Sequence, residues 1–180
     1  GQMTPVELPV HGDGSHDLEV LRRALIDGAE AVAVMAANNE TGVLTDVDAV
    51  AGLVAEHGAA WHCDSVQALG RVPLASAGPT YETLSAHKVG GPRGVGAVRI
   101  RRGAAWTSLL TGGPQESGRR AGTPDVAGAV VFAEAASEAV EGLPALAAVG
   151  ELRATLEAEI CQRFPGSLVN GAGKPRLPNT

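Results

Sequence analysis

Residues 31–64, AVAVMAANNETGVLTDVDAVAGLVAEHGAAWHCD, carry the pattern that decides the fold. A short apolar run over 31–36 is followed by the polar turn NNETG. A helical segment then runs over 46–58, opened by Asp46 and closed by Gly58, and a second short strand, 59–64, ends on a carboxylate. An aspartate at a helix start accepts from unpaired backbone N–H groups, and a glycine at its end takes the left-handed conformation that stops it. The run at 31–36 is expected to be a strand covered on both faces. Just upstream, DLEVLRRALIDG (17–28) spaces Leu18, Leu21, Leu25 and Ile26 for a helix and stops at a glycine. Helix, strand, loop, helix, strand in that order predicts an α/β fold around a mostly parallel sheet, with polar residues gathered at strand ends.

The rest of the chain continues the theme. YETLSAHK (81–88) reads as a third strand and GVGAVRIRRG (94–103) as a fourth, either paired as a hairpin or joined through the glycine loop between them. Residues 125–141 and 144–164 form two Ala-rich helical stretches divided by Gly142 and Pro144. The second carries Leu146, Val149, Leu152, Leu156, Ile160 and Phe164, the spacing of a long helix leading to another domain. NGAGKPRLPNT, at the end, is turn-rich and closes no element.

Composition narrows the function. Hydrophobic residues make up 44% of the 180, enough for a real core, but aromatics only 3%, so that core must be Ala, Val and Leu. A net charge of -6 argues against a nucleic-acid-binding protein. No apolar run reaches membrane-spanning length, and GQMTPVELPV lacks the basic and apolar regions of a signal peptide, so a cytoplasmic location is expected. Cys63 and Cys161 form no CxxC pair, which points to neither a zinc ribbon nor a disulfide framework. His62-Cys63-Asp64 does not suggest a metal site, because adjacent strand residues point to opposite faces.

Three polar clusters follow expected strands: Asn38-Asn39-Glu40, Asp64 with Gln67, and Ser85 with His87 and Lys88. In open parallel sheets such loops converge on one crevice. The residue types match what pyridoxal phosphate requires. Lys88 offers an amine, Asp64 a carboxylate for the pyridine nitrogen, Ser85 and His87 donors for the phosphate, and Gln67 an amide for the ring oxygen. Taken singly, each has an ordinary role open to it. Lys88 would be a solvated loop lysine, Asp64 a cap for a helix starting at 65, Gln67 an exposed helix residue, Asn39 a turn former and Thr123 a helix cap before Pro124. Cys63 reads as a buried strand residue, and Cys161 as part of a packed helical face.

Four motifs, ANNETG, HCDSVQALGRVPL, SAHKVGGPRGVGAVRI and GGPQESGRRAGTPDVAGAV, occur in the order seen in cysteine desulfurases of the NifS/IscS kind. The chain resembles that branch of the class V aminotransferase family, the fold type I pyridoxal phosphate enzymes, along roughly two thirds of its length. The resemblance implies an aspartate aminotransferase-like large domain over 1–135, incomplete, with a linking helix and the start of a small C-terminal α/β domain over 136–180. It implies pyridoxal 5'-phosphate attached to Lys88, which also moves the substrate proton. Asp64 would pair with the pyridinium, Gln67 with the ring hydroxyl, and Ser85 and His87 with the phosphate. Asn39 would help place the substrate carboxylate, and Thr123 would reach the phosphate of a neighbouring subunit in a homodimer. The reaction implied removes sulfur from L-cysteine, leaving alanine and an enzyme persulfide for a sulfur-acceptor or scaffold protein and iron-sulfur cluster assembly.

The family's nucleophilic cysteine is expected beyond the RLPN segment at 176–179, and its N-terminal phosphate loop and ring-stacking histidine before residue 1. The chain is therefore expected to be the middle of such an enzyme. A catalytically silent, partner-binding remnant and a selenocysteine lyase stand as alternatives.

Overall fold

The computed structural model describes residues 4–74 and 78–180. The chain order is α1 (Leu18–Ile26), β1 (Ala31–Met35), α2 (Val47–His57), β2 (Ala60–Asp64), β3 (Tyr81–Ser85), β4 (Gly96–Ile100), β5 (Pro114–Gln115), β6 (Arg120–Ala121), α3 (Val126–Glu141) and α4 (Leu146–Arg163). The main sheet has the order β1-β2-β3-β4. β1, β2 and β3 run parallel, and β4 returns antiparallel along β3, with Tyr81 opposite Ile100 and Ser85 opposite Gly96. β5 and β6 form a separate two-stranded antiparallel ribbon.

The helix boundaries follow from local chemistry. Asp17 accepts from the N–H groups of Glu19 and Val20 at 3.0 and 3.1 Å and starts α1. Asp46 accepts from Ala49 at 2.9 Å and starts α2, which ends on left-handed Gly58. Helices α1 and α2 both lie on one face of the sheet. Leu21, Leu25, Val50, Leu53 and Val54 pack there against Val32, Val34, Trp61 and Cys63. A second, smaller cluster joins Phe132 of α3 to Leu69 and Ala86.

The expectation that 31–36 is covered on both faces is not met. In β1, Val32 and Val34 are buried while Ala31, Ala33 and Met35 are exposed. The reason is the placement of the helices on a single face, which leaves the other lined by Ala33, Met35, His62, Asp64 and Thr83, all exposed or half-buried. The expected packing of Cys161 is corrected too. It is exposed on α4, whose Leu152, Leu156 and Ile160 also face outward. The position between residues 135 and 136 lies inside α3, which runs unbroken. No helix among the described residues is long and apolar enough to cross a membrane.

The turn-rich end does more than the sequence suggested. Leu177 is fully buried and its N–H donates to Gly42 O at 2.8 Å, while Leu44 N donates to Pro175 O at 2.9 Å and Val43 bridges Arg176. Residues 175–177 thus brace the loop that carries Asn38 and Asn39.

Candidate active site

Because β1, β2 and β3 are parallel, their carboxyl ends open on one edge, where the residues beyond them converge. Met35, Asp64 and Thr83 are register neighbours across these strands. The Asn38–Glu40 loop, the turn from Asp64 to Gln67 and the segment from Ser85 to Lys88 all leave from this edge.

Register neighbours share a face, so Asp64 projects from the uncovered side together with His62, whose Nε2 lies 3.2 Å from Thr83 Oγ1. Cys63 points to the covered side. Asp64 does not cap a helix: residues 66–71 form successive turns, with Ala68 and Leu69 both donating to Ser65 O at 3.0 Å. Its Oδ1 accepts from Val66 N at 3.0 Å, which orients the carboxylate. Gln67 lies on the same turn, half-buried, and its side-chain amide has no hydrogen-bond partner among the described residues.

Lys88 closes a short 3-10 turn, Ala86–Lys88. Ala86 is fully buried, and its carbonyl accepts from Val89 and Gly91 at 3.0 and 2.9 Å, so the segment is pinned beneath the lysine. The chain then reverses at Gly90, with φ +88°, and passes so close to Ala86 that a Cβ on Gly91 would lie 3.0 Å from its carbonyl oxygen. Ser85 Oγ and His87 Nδ1 are 2.8 Å apart, a hydroxyl and an imidazole held side by side. The chain has only two lysines, Lys88 and Lys174. Lys174 is engaged by Asp13 at 2.8 Å, whereas Lys88 is half-buried and in no ion pair among the described residues.

Asn38 and Asn39 divide the labour of their loop. Asn38 Oδ1 accepts from the N–H groups of Glu40 and Thr41, both at 2.9 Å, and makes the turn. Asn39 is exposed, with Nδ2 3.1 Å from Glu40 Oε1. Thr123 stands apart from these groups, exposed on the loop between β6 and α3. It does not cap α3 either, because Asp125 Oδ1 accepts from Gly128 N at 2.9 Å and fills that role.

Arg71 was passed over in the sequence. Its Nη1 donates to Gln67 O at 3.0 Å and its Nη2 to Lys88 O at 2.9 Å, so one guanidinium ties the two segments of the edge together. Burial pulls Arg71 below its ordinary pKa, though a guanidinium stays charged at neutral pH. Its position four residues after Gln67 was the available signal. Arg71→Met is expected to fold and to let the Lys88 and Gln67 segments move apart, costing about 1.5–3 kcal/mol for bonds to a charged donor in thermal melts.

The two thiols differ in reactivity. Burial pushes the Cys63 thiol up, partly offset by the hydroxyl of Ser65 3.5 Å away. Iodoacetamide is expected to alkylate Cys161 in the native chain and Cys63 only on unfolding, read by peptide mass. Equal rates would contradict the covered face described above.

A cysteine desulfurase of Klebsiella pneumoniae is 42% identical over 96% of this chain and 44% of the relative. One from Cereibacter sphaeroides is 43% identical over 99% and 46%. A solved structure of a NifS-like protein superposes with a TM-score of 0.89 at 34% identity, over 95% of this chain and 48% of that one. A NifS-like protein from Rickettsia africae gives 0.83 at 28% identity, over 95% and 49%. The chain thus spans a little under half the length of the curated relatives it matches. With the aminotransferase class-V model matching residues 3–163 and a NifS-like fold along nearly the whole length, the chain belongs to the class-V aminotransferase family.

Proposed function

We propose that this chain carries the cofactor-binding centre of a cysteine desulfurase, an enzyme that takes sulfur from L-cysteine and leaves L-alanine. The observation that carries the reading is the gathering of Lys88, half-buried and outside any ion pair among the described residues, with Asp64, Gln67, Ser85 and His87 along one sheet edge. The donor set fits pyridoxal 5'-phosphate: an amine, a carboxylate on an uncovered face, a free amide, and a hydroxyl beside an imidazole.

Asp64 would keep the pyridine nitrogen protonated, Gln67 would donate to the ring oxygen, and Ser85 with His87 would hold the phosphate. Bound there, the cofactor supplies the electron sink that stabilises carbanion character beside the carbon bearing sulfur. Lys88 Nζ would anchor the cofactor and then take and return the proton at the substrate α-carbon. Asn39, on a loop braced by residues 175–177, would orient the substrate carboxylate. Thr123 would act across a homodimer, reaching the neighbouring subunit's phosphate. Residues 136–180 would be the linking helix and the start of the smaller unit. Cys63 is not the sulfur acceptor in this scheme, because its thiol is buried on the covered face. A thiol elsewhere would take the sulfur and hand it to an acceptor protein of cytoplasmic cluster assembly.

The test is conversion of L-cysteine to stoichiometric alanine and sulfide by the cofactor-loaded protein under reductant. Asp64→Asn is expected to retain the cofactor and lose about 10²–10⁴-fold in rate, the scale of a misplaced proton. Preference for selenocysteine over cysteine would instead favour the lyase.

A further inference from the structure

On the covered face, in register with Cys63, lies a charged residue that the proposed chemistry does not use. Glu82 is 2% exposed. In register it stands between Cys63 of β2 and Arg99 of β4, so the three form a row across the sheet. Its Oε2 accepts from Arg99 Nε at 2.7 Å and its Oε1 from Ser65 Oγ at 2.7 Å. Gly78 leaves room for this arrangement, since a Cβ there would lie 2.6 Å from Arg99 Nη1. Only the carboxylate of this pair is hidden: Glu82 is 2% exposed and Arg99 50%, so the guanidinium keeps much of its water while it holds a carboxylate that has lost its own. A buried carboxylate with two donors is a fixed acceptor, and its use lies in what it holds.

Ser65 identifies that use. It follows Asp64 directly, is 1% exposed, and is tied at every polar atom. Its N–H donates to Thr83 O at 3.1 Å, and its carbonyl accepts from Ala68 and Leu69 at 3.0 Å. Its hydroxyl reaches Glu82. The turn that begins at Ser65 fixes Asp64 at one end, through the bond from Val66 N to Asp64 Oδ1, and Gln67 near the other. We infer that Ser65, held by Glu82 and through it by Arg99, is a positioning residue that sets the direction of Asp64 and Gln67 toward the cofactor ring. This rests on the reading of those two residues given above. A directional, charge-assisted bond on the hidden face lets the exposed carboxylate keep one orientation without a hydrogen bond from another strand on its own side.

The experiment compares Ser65→Ala and Ser65→Thr with Val50→Ala, a truncation in the same core cluster that removes no hydrogen bond of the turn. Two readouts are taken on each: amide hydrogen exchange at Ala68 and Leu69, and the dissociation constant and absorption spectrum with pyridoxal phosphate. Ser65→Ala is expected to speed exchange at both amides about tenfold beyond the change in Val50→Ala, and to weaken cofactor binding about tenfold with an altered spectrum. Ser65→Thr, which keeps the hydroxyl, is expected to restore both. If Ser65→Ala matches Val50→Ala in exchange, or loosens the turn while leaving cofactor affinity and spectrum unchanged, the inference is overturned. A wild-type protein that takes no cofactor at all refutes the functional reading instead, and exchange alone then decides whether Ser65 anchors the turn.

Discussion

Lys88→Ala is expected to abolish covalent retention of pyridoxal phosphate through gel filtration and to slow alanine formation from L-cysteine at least about 10⁴-fold. Two functions rest on this one amine, attachment of the cofactor and movement of the substrate proton, and alanine can perform neither. Little stability should be lost, because the side chain makes no ion pair among the described residues and the segment is pinned through the backbone of Ala86. Lys174→Ala is the control. Lys174 and Ser15 hold the Asp13 carboxyl well below the usual carboxylate range, so its loss should let Asp13 titrate nearer its ordinary value and leave turnover unchanged. A Lys88→Ala protein with wild-type turnover would remove the basis of the proposed function.

Trp61→Ala is expected to be the most destabilising single change, about 3–5 kcal/mol, from the cavity left by a large buried ring. Trp61 is 1% exposed in β2, within the cluster it forms with α1, α2 and β1. Since a domain of this size is stable by only about 5–15 kcal/mol, the loss should be plain in urea unfolding and should take the Asp64 edge with it. Trp61→Phe separates the ring from its polar atom. The indole N–H is buried without a partner among the described residues, so phenylalanine removes an uncompensated donor while keeping most of the volume. Its expected cost is under about 1.5 kcal/mol. Equal losses for the two variants would contradict this account of the core.

How much could be read beforehand depended on range. Helix α2 was legible because its signals, Asp46 and Gly58, act within a few residues. That the clusters after β1 and β2 leave from one edge was legible too, since the helix between those strands makes them run parallel, whereas β3 follows β2 with no helix between them among the described residues. The open face was misjudged although AVAVM alternates small and large residues, a pattern that a one-sided strand shares with a wholly buried one. Glu82 shares a face with Leu84 by the same period of two, but a charge opposite an arginine on another strand is visible only once register is known. The return of residues 175–177 to the Asn38 loop rests on a bridge between Val43 and Arg176, and no periodicity announces a contact of that span. Arg71 was hidden because its meaning lies in a carbonyl seventeen residues away, that of Lys88.

The most direct test of the central claim is to load the protein with pyridoxal phosphate, reduce with borohydride and locate the added mass by peptide mapping. With two lysines in the chain, the assignment is unambiguous. Label confined to Lys88 is the predicted result. Label shared between Lys88 and Lys174, or absent from both, would contradict a cofactor centre on this sheet edge.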